Sequence, residues 1–232
     1  ILGIVIGIAS VIAMVAIGQG AQSSIESNIQ SIGSNLLLIM PGAQRGPGSQ
    51  VSSGRGSAQT LTQEDADAIS SQIQGIQATA PETTKRYQVT SKGKNTNTSV
   101  VGTVSTYTTV RNLQIDKGTF IADSHVRQGA KVAVLGPTAA TDLFGSGDSA
   151  LGQTVRINQI QFKVVGVTKA KGGSGFSNQD DMAFVPLTTA QRFLTGNDFV
   201  STISVQAVDP QSMTLVQEQM TQLLLKRHHI SD

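Results

Sequence analysis

Residues 1–17 read ILGIVIGIASVIAMVAI, an uncharged run interrupted only by Gly3, Gly7 and Ser10. A helix satisfies every backbone polar group internally, which is the condition for crossing lipid. At ~1.5 Å per residue the run spans ~26 Å, slightly short of a ~30 Å hydrocarbon core. The chain opens on Ile1 and not on Met, so residues upstream are expected to complete the span. The expectation is a transmembrane helix over 1–20. Two other readings compete. A secretory signal peptide would use Gly18 and Gly20 as small cleavage-site residues, but a basic leader is not visible in this sequence. A buried core helix is usually striped, and this run is apolar all round. Gly3 with Gly7, and Ala9 with Ala13, are small-xxx-small pairs that let helices approach closely in lipid, although such residues are common in membrane helices anyway.

The next stretch changes period. Ile25, Ile29, Ile32 and Leu36 recur at i, i+4, i+7 and i+11 with polar residues between them. This is a narrow apolar stripe suited to one neighbouring helix. A stalk helix over 21–33, continuing the anchor, is expected.

Beyond the stalk the pattern is that of an α+β domain. Asn35–Met40 is a short apolar run closed by Pro41-Gly42 and reads as a buried strand; residues 41–59 are rich in Gly, Ser and Pro and read as a loop. Thr62-Gln-Glu-Asp65 has the form of a capping box, with Ala66, Ile69, Ile73 and Ile76 as the helix's apolar face and Ala80-Pro81 as its breaker. Residues 83–105 alternate as strands, with a hairpin tip at 92–95. A more compact rhythm follows. Lys131–Leu135 is a strand, Thr138–Phe144 a short helix, and 155–164 a hairpin turning at Asn158-Gln159. Asp181–Val185 is a strand and Thr188–Leu194 a short helix. Phe199–Val208 is a strand, and Asp209-Pro210 is expected to open a helix lined by Met213, Val216, Met220, Leu223 and Leu224. Segments 34–107 and 198–232 thus form one α+β domain, interrupted by a mostly β insert at 108–197.

Composition narrows the function classes. With 232 residues, 14% charged, 4% aromatic, no Trp and a net charge of +2, the chain has no nucleic-acid footprint. Lys85, Arg86, Lys92 and Lys94 are its one local basic group and read as a solvated face. There is no Cys, hence neither disulfide nor thiol nucleophile. A search for chemistry finds little. No phosphate loop with its lysine and no nucleophile elbow is present. His228 and His229 are adjacent, so on a helix they point ~100° apart and make poor co-ligands; a solvated helix end is the better reading. Asp180 and Asp181 would point to opposite faces of a strand, which suits a cap or turn bond better than a shared acid–base site. The chain does not read as an enzyme.

The order of motifs completes the reading. An apolar helix ends in IAMVAIGQGA; IGSNLLLIMPG, LTQEDADAI, VAVLG with DLFG, LGQTVRIN, FKVVGV, QDDMAFVPLTTAQRF and LLLKRHHI follow. Over nearly the whole chain this resembles the first transmembrane helix and extracytoplasmic core domain of MacB-type (MacB/FtsX-like) ABC transporter permeases. The resemblance implies a porter-like domain of β-α-β units with an inserted, mostly β part called the sabre. It implies a bacterial inner-membrane protein, its globular part extracytoplasmic, that couples cytoplasmic ATP hydrolysis by mechanotransmission to export or extraction of toxins, antibiotics, peptides or lipoproteins. It also implies partners: a second permease subunit in a homodimer, a nucleotide-binding domain holding ATP and magnesium, and a MacA-like periplasmic adaptor. This chain itself is expected to hold no cofactor. The rivals are an FtsX-like permease regulating a cell-wall hydrolase, an anchored sensor ectodomain and a secreted enzyme.

Overall fold

One strand organises the molecule. In this computed structural model, which describes residues 35–42, 58–172 and 178–229, β2 (Ile76–Ser91) follows β1 (Leu36–Ile39) and α1 (Gln63–Gln72). Its first half, Ile76–Glu82, pairs antiparallel with β9 (Thr202–Ala207), and its second half, Thr83–Ser91, pairs antiparallel with β3 (Lys94–Thr103). Between β3 and β9 come α2 (Tyr107–Val110), β4 (Ile115–Gly118), α3 (Asp123–Gln128), β5 (Val132–Leu135), α4 (Pro137–Phe144), β6 (Thr154–Ile157), β7 (Ile160–Thr168), β8 (Met182–Pro186) and α5 (Leu187–Ala190). The last helix is α6 (Met213–Arg227). The transmembrane reading over 1–20 and the stalk reading over 21–33 lie outside the described residues. Among the described residues, no helix is long and apolar enough to cross a membrane.

The second half of β2 belongs to a closed ring. β2 pairs β3, β3 pairs β8, β8 pairs β5, β5 pairs β7, β7 pairs β6, and β6 returns to β2. The β3–β8 and β5–β7 pairs are parallel and the others antiparallel. A barrel this small is filled by its own side chains. Val89, Val100, Leu135, Ile157, Phe162, Val164 and Val185 alternate inward and are buried, with Leu143 of α4 added to them. Helix α5 lies hard against β3 at Gly102, where a Cβ would sit 2.3 Å from that of Ala190. The ring's outer wall along β3, β8, β5 and β7 is covered by a second cluster. Val101, Val134 and Phe184 meet Tyr107, Val110, Ile121 and Val126 there.

The first half of β2 belongs to an open layer ordered β1-β9-β2. On one side α1 and α6 cover it, burying Ile69, Ile203, Val205, Val216 and Met220, against which Leu37 and Ile39 of β1 pack. A bulge at Gln77 lets Ile76 face that helical side while Ala78 faces the opposite one. The boundaries drawn at 107/108 and 197/198 fall just after β3 and before β9, so the barrel takes strands from both sides of them.

Local readings are corrected in several places. The helix from Thr62 ends at Gln72, because Ile73 is extended and Gly75, at φ +85°, turns the chain into β2. Ile76 is therefore a strand residue. Pro81 breaks no helix; it lies inside β2, where the strand has β9 on one side and β3 begins only opposite Thr83. A strand with one neighbour tolerates the missing N–H. Leu36 is not part of a helical stripe but a strand residue opposite Gln206. β1 is also less buried than expected, with Leu38, and Met40 just after it, 45% and 58% exposed, because it is the edge of the layer. Helix α6 starts at Met213 and not at Pro210, since the Asp209 carboxylate accepts the Ser212 N–H at 2.7 Å and holds 209–212 as a turn. The helix expected at 188–194 is α5 followed by a π-turn, Gln191–Thr195, closed by Gly196. Both hairpins turn on two residues with positive φ, Lys92-Gly93 and Asn158-Gln159.

Candidate functional site

The changeover point on β2 carries a buried charge. Glu82 is 5% exposed; it is the last residue of β2 paired to β9 and directly precedes Thr83, the first paired to β3. Its Oε1 accepts from Arg111 Nη2 at 2.5 Å and from the Ser204 hydroxyl at 2.7 Å. A buried carboxylate is tolerated only when paired and hydrogen-bonded, and here both conditions hold. Arg111 caps the C-terminus of α2, its guanidinium lies over the Tyr107 ring at 5.9 Å, and its carbonyl accepts from Lys171 Nζ at 2.8 Å. One carboxylate thus ties β2, β9 and the segment leading into the barrel's outer cover. Two hydroxyls reinforce the joint: Thr103 donates to the Pro81 carbonyl at 3.1 Å and Thr106 to the Thr79 carbonyl at 2.6 Å. Burial pushes the Tyr107 phenol well above its ordinary value, the Glu82 charge adds to this, and Arg111 opposes it. Burial also pushes Lys171 down, and the Arg111 charge acts the same way.

A second polar tie joins the two helices of the open layer. Thr62 and Asp65 form the expected capping box at the start of α1. Asp65 is 2% exposed and also reaches the end of α6: Arg227 Nε donates to Oδ1 at 2.7 Å and His228 Nε2 lies 3.0 Å from Oδ2. Burial alone would raise the pKa of Asp65. The Arg227 hydrogen bond, the Thr62 backbone bond and the charges of His228 and Arg227 outweigh burial and hold the carboxyl below the usual carboxylate value. The sequence marked Asp65 only as a cap and His228 as a solvated helix end. The available signal was an acid opening one amphipathic helix and a basic Arg-His pair closing another. Two such helices packed antiparallel on one sheet face bring those ends together, and Gly75, next to Ser212 and Val216, marks the opposite ends of the same pair.

The other sequence candidates separate. Asp180 accepts the Lys171 and Gly172 N–H groups at 2.9 and 3.0 Å, a turn bond of the kind expected. Asp181 instead points toward Arg86 at 3.8 Å, so the neighbouring carboxylates share no site. Leu36 packs beside Ala78 and Val104 on the face of the layer away from α1 and α6. Gly3, Gly7, Ala9, Ala13, Ile25, Ile29 and Ile32 lie outside the described residues. Among the described residues no group of His, Asp and Glu is arranged to hold a metal ion.

Comparison with known proteins gives a consistent picture. The model of the MacB-like periplasmic core domain matches residues 1–223. The macrolide export ATP-binding/permease protein MacB of Bdellovibrio bacteriovorus is 37% identical over 229 residues, 99% of this chain and 35% of that protein. MacB of Chlorobium luteolum is 34% identical over the whole chain and 34% of its own length. The chain therefore spans about a third of the curated relatives it matches. Among solved structures, the periplasmic region of MacB from Actinobacillus actinomycetemcomitans superposes with a TM-score of 0.72 at 27% identity, covering 87% of this chain and 88% of that one. The extracellular domain of the transporter YknZ from Gram-positive bacteria shares the fold at a TM-score of 0.64 and 22% identity, over 74% of this chain and 86% of that one.

Proposed function

The chain belongs to the MacB-like periplasmic core domain family, and on that premise we propose that it is the extracytoplasmic transmission element of an ABC transporter in the bacterial inner membrane. In this reading a nucleotide-binding domain hydrolyses ATP with magnesium on the cytoplasmic side. The permease works as a homodimer, and a periplasmic adaptor receives what the ectodomain pushes or extracts: toxins, antibiotics, peptides or lipoproteins. The porter-like and sabre-like parts of the ectodomain correspond to the open layer and the barrel-centred region. The chain itself does no chemistry.

The observation that carries the proposal is that the entry strand and the exit helix share one core. β1 pairs with β9, and Leu37 and Ile39 pack on the same cluster as Val216, Met220, Leu223 and Leu224 of α6. The Asp65 tie then fixes the last turn of α6. A displacement applied at either end of this unit moves the layer as a body, because close-packed interiors transmit strain. Arg227→Gln combined with His228→Gln, made in the complete transporter, frees the end of α6 while Asp65 still caps α1. The expected result is ATP hydrolysis near the parent rate in nanodiscs, with loss of substrate protection in cells. Full protection in this variant would reject the transmission role.

A further inference from the structure

Helices α2 and α3 cover only part of the barrel's outer wall. On the uncovered side the strand registers line up a polar row, Asn95 opposite Thr90, Thr90 opposite Arg156 and Arg156 opposite Gln161. The row floors a cleft of about 470 Å³, closed at one end by the β2–β3 turn with Lys92 and Lys94. Ser91 and Val155 are buried beneath it, and the Ser91 hydroxyl donates to the Thr154 carbonyl at 2.9 Å, pinning the hairpin tip to β6. The cleft is thus held in shape before any ligand arrives.

Its charge is one-sided. Lys92, Lys94 and Arg156 line it and no carboxylate does. None of the three cations takes part in an ion pair among the described residues. Like charges gathered without counter-charge cost free energy, which an anion would recover. The turn residue adds a second observation. Lys92 sits at φ +47° in the first position of a two-residue turn that favours Asn before Gly, so a lysine is held there against local preference. Departures from local rules mark positions kept for another reason. No aromatic side chain lines the cleft, so it offers nothing on which a sugar or drug ring could stack.

We propose that this cleft binds a ligand carrying clustered oxyanions of the phosphate class. Arg156 supplies the planar, bidentate donor, Lys92 and Lys94 act as point charges, and Thr90, Asn95 and Gln161 supply neutral polar contacts. The volume suits a small phosphorylated group rather than a polymer. The same chemistry is presented by a free phosphate ester or by a phospholipid headgroup.

The test is a site-resolved amide NMR titration of the whole chain in detergent, with inorganic pyrophosphate as probe and chloride at equal ionic strength as control. Glycerophosphoglycerol serves as a soluble phosphodiester headgroup in a second arm. Saturable shifts confined to residues 90–95 and 154–161 are expected. Binding of pyrophosphate alone assigns the cleft to free phosphate compounds, and comparable binding of the diester assigns it to lipid headgroups. Lys92→Gln with Lys94→Gln and Arg156→Gln should weaken the saturable shifts by at least about tenfold, since charge-assisted bonds carry the affinity. These side chains are exposed, so the remaining spectrum reports an unchanged fold. Shifts that fail to saturate, spread over the whole molecule, or persist equally in the triple variant overturn the proposal.

Discussion

The barrel and the open layer share β2 and solve the same problem in opposite ways. The barrel closes on itself, leaves no ladder edge within its ring, and fills its interior with side chains such as Phe162, Ile157 and Leu135, all fully buried. The layer has an edge at β1 and two helices on one face, and buried charges tie it, Glu82 at the joint with the barrel and Asp65 between the ends of its own two helices. Apolar packing is non-directional, and a closed ring needs little else to fix its shape. Paired charges are directional, and their best-attested use is to select one register or arrangement. The layer, which carries both ends of the described chain, is therefore the part whose geometry is specified by polar ties.

Replacement of 108–197 by a short Gly/Ser linker tests this division most severely. It removes β5 to β8 and with them the closed ring, exposing Val89 and Val100. The layer's helical core loses only Leu187, because Leu61, Ala66, Ile69, Ile73, Val200, Ile203, Val205, Val216 and Met220 all lie outside the segment. We expect a less stable protein that still unfolds in one cooperative transition, followed by circular dichroism. Absence of any cooperative transition would mean that the layer borrows its core from the barrel.

The joint comes next in size. Glu82→Ala leaves Arg111 with a side chain 18% exposed and no counter-charge, and breaking a buried pair in this way costs about 3–5 kcal/mol. The partial exposure of Arg111 places the effect toward the lower end of that range. Chemical denaturation of the variant beside the parent measures it. A loss below about 1 kcal/mol, the worth of an exposed pair, would show that water already reaches the joint.

How much of this was legible in the sequence follows from the range of each interaction. The two hairpins, the capping box and the strands around residues 131–135 and 181–185 are written in short-range patterns, period-two alternation and turn residues. Barrel closure is not, because it depends on β8 meeting both β3 and β5, and on parallel partners that no local pattern encodes. Pro81 misled for a related reason: proline is excluded from a strand with two neighbours, and the number of neighbours is a tertiary fact. Helix α2 spans only Tyr107–Val110, too short for a helical period to show. Glu82 sat unmarked within a polar stretch, and nothing nearby in sequence named Arg111 or Ser204 as its partners. The oxyanion cleft was visible only as Lys92 and Lys94, read as a solvated face, with Arg156 contributed from another hairpin.

The smallest effect concerns the Asp65 tie and is read most clearly through pH. Asp65 in the folded chain has a pKa below its ordinary value, which is about 3.9 in the unfolded chain. A carboxyl with a depressed folded pKa binds its proton more readily when unfolded. Its contribution to stability is therefore complete above the unfolded value and disappears as pH falls through the folded one. Asp65→Asn removes the titrating group and keeps a side-chain oxygen able to accept from Thr62 or Arg227. Arg227 is 32% exposed and can turn toward water, so the loss at neutral pH should be about 1–2 kcal/mol, the range for hydrogen bonds to charged groups less what solvent returns. Stability of parent and variant should differ by this amount above about pH 5 and converge as pH falls below about 4. Urea unfolding at a series of pH values measures the difference. A gap that stays constant down to pH 2.5 would mean that the tie acts through shape alone, and the polar account of the layer's geometry would then rest on Glu82 at the joint, with α6 held by apolar packing.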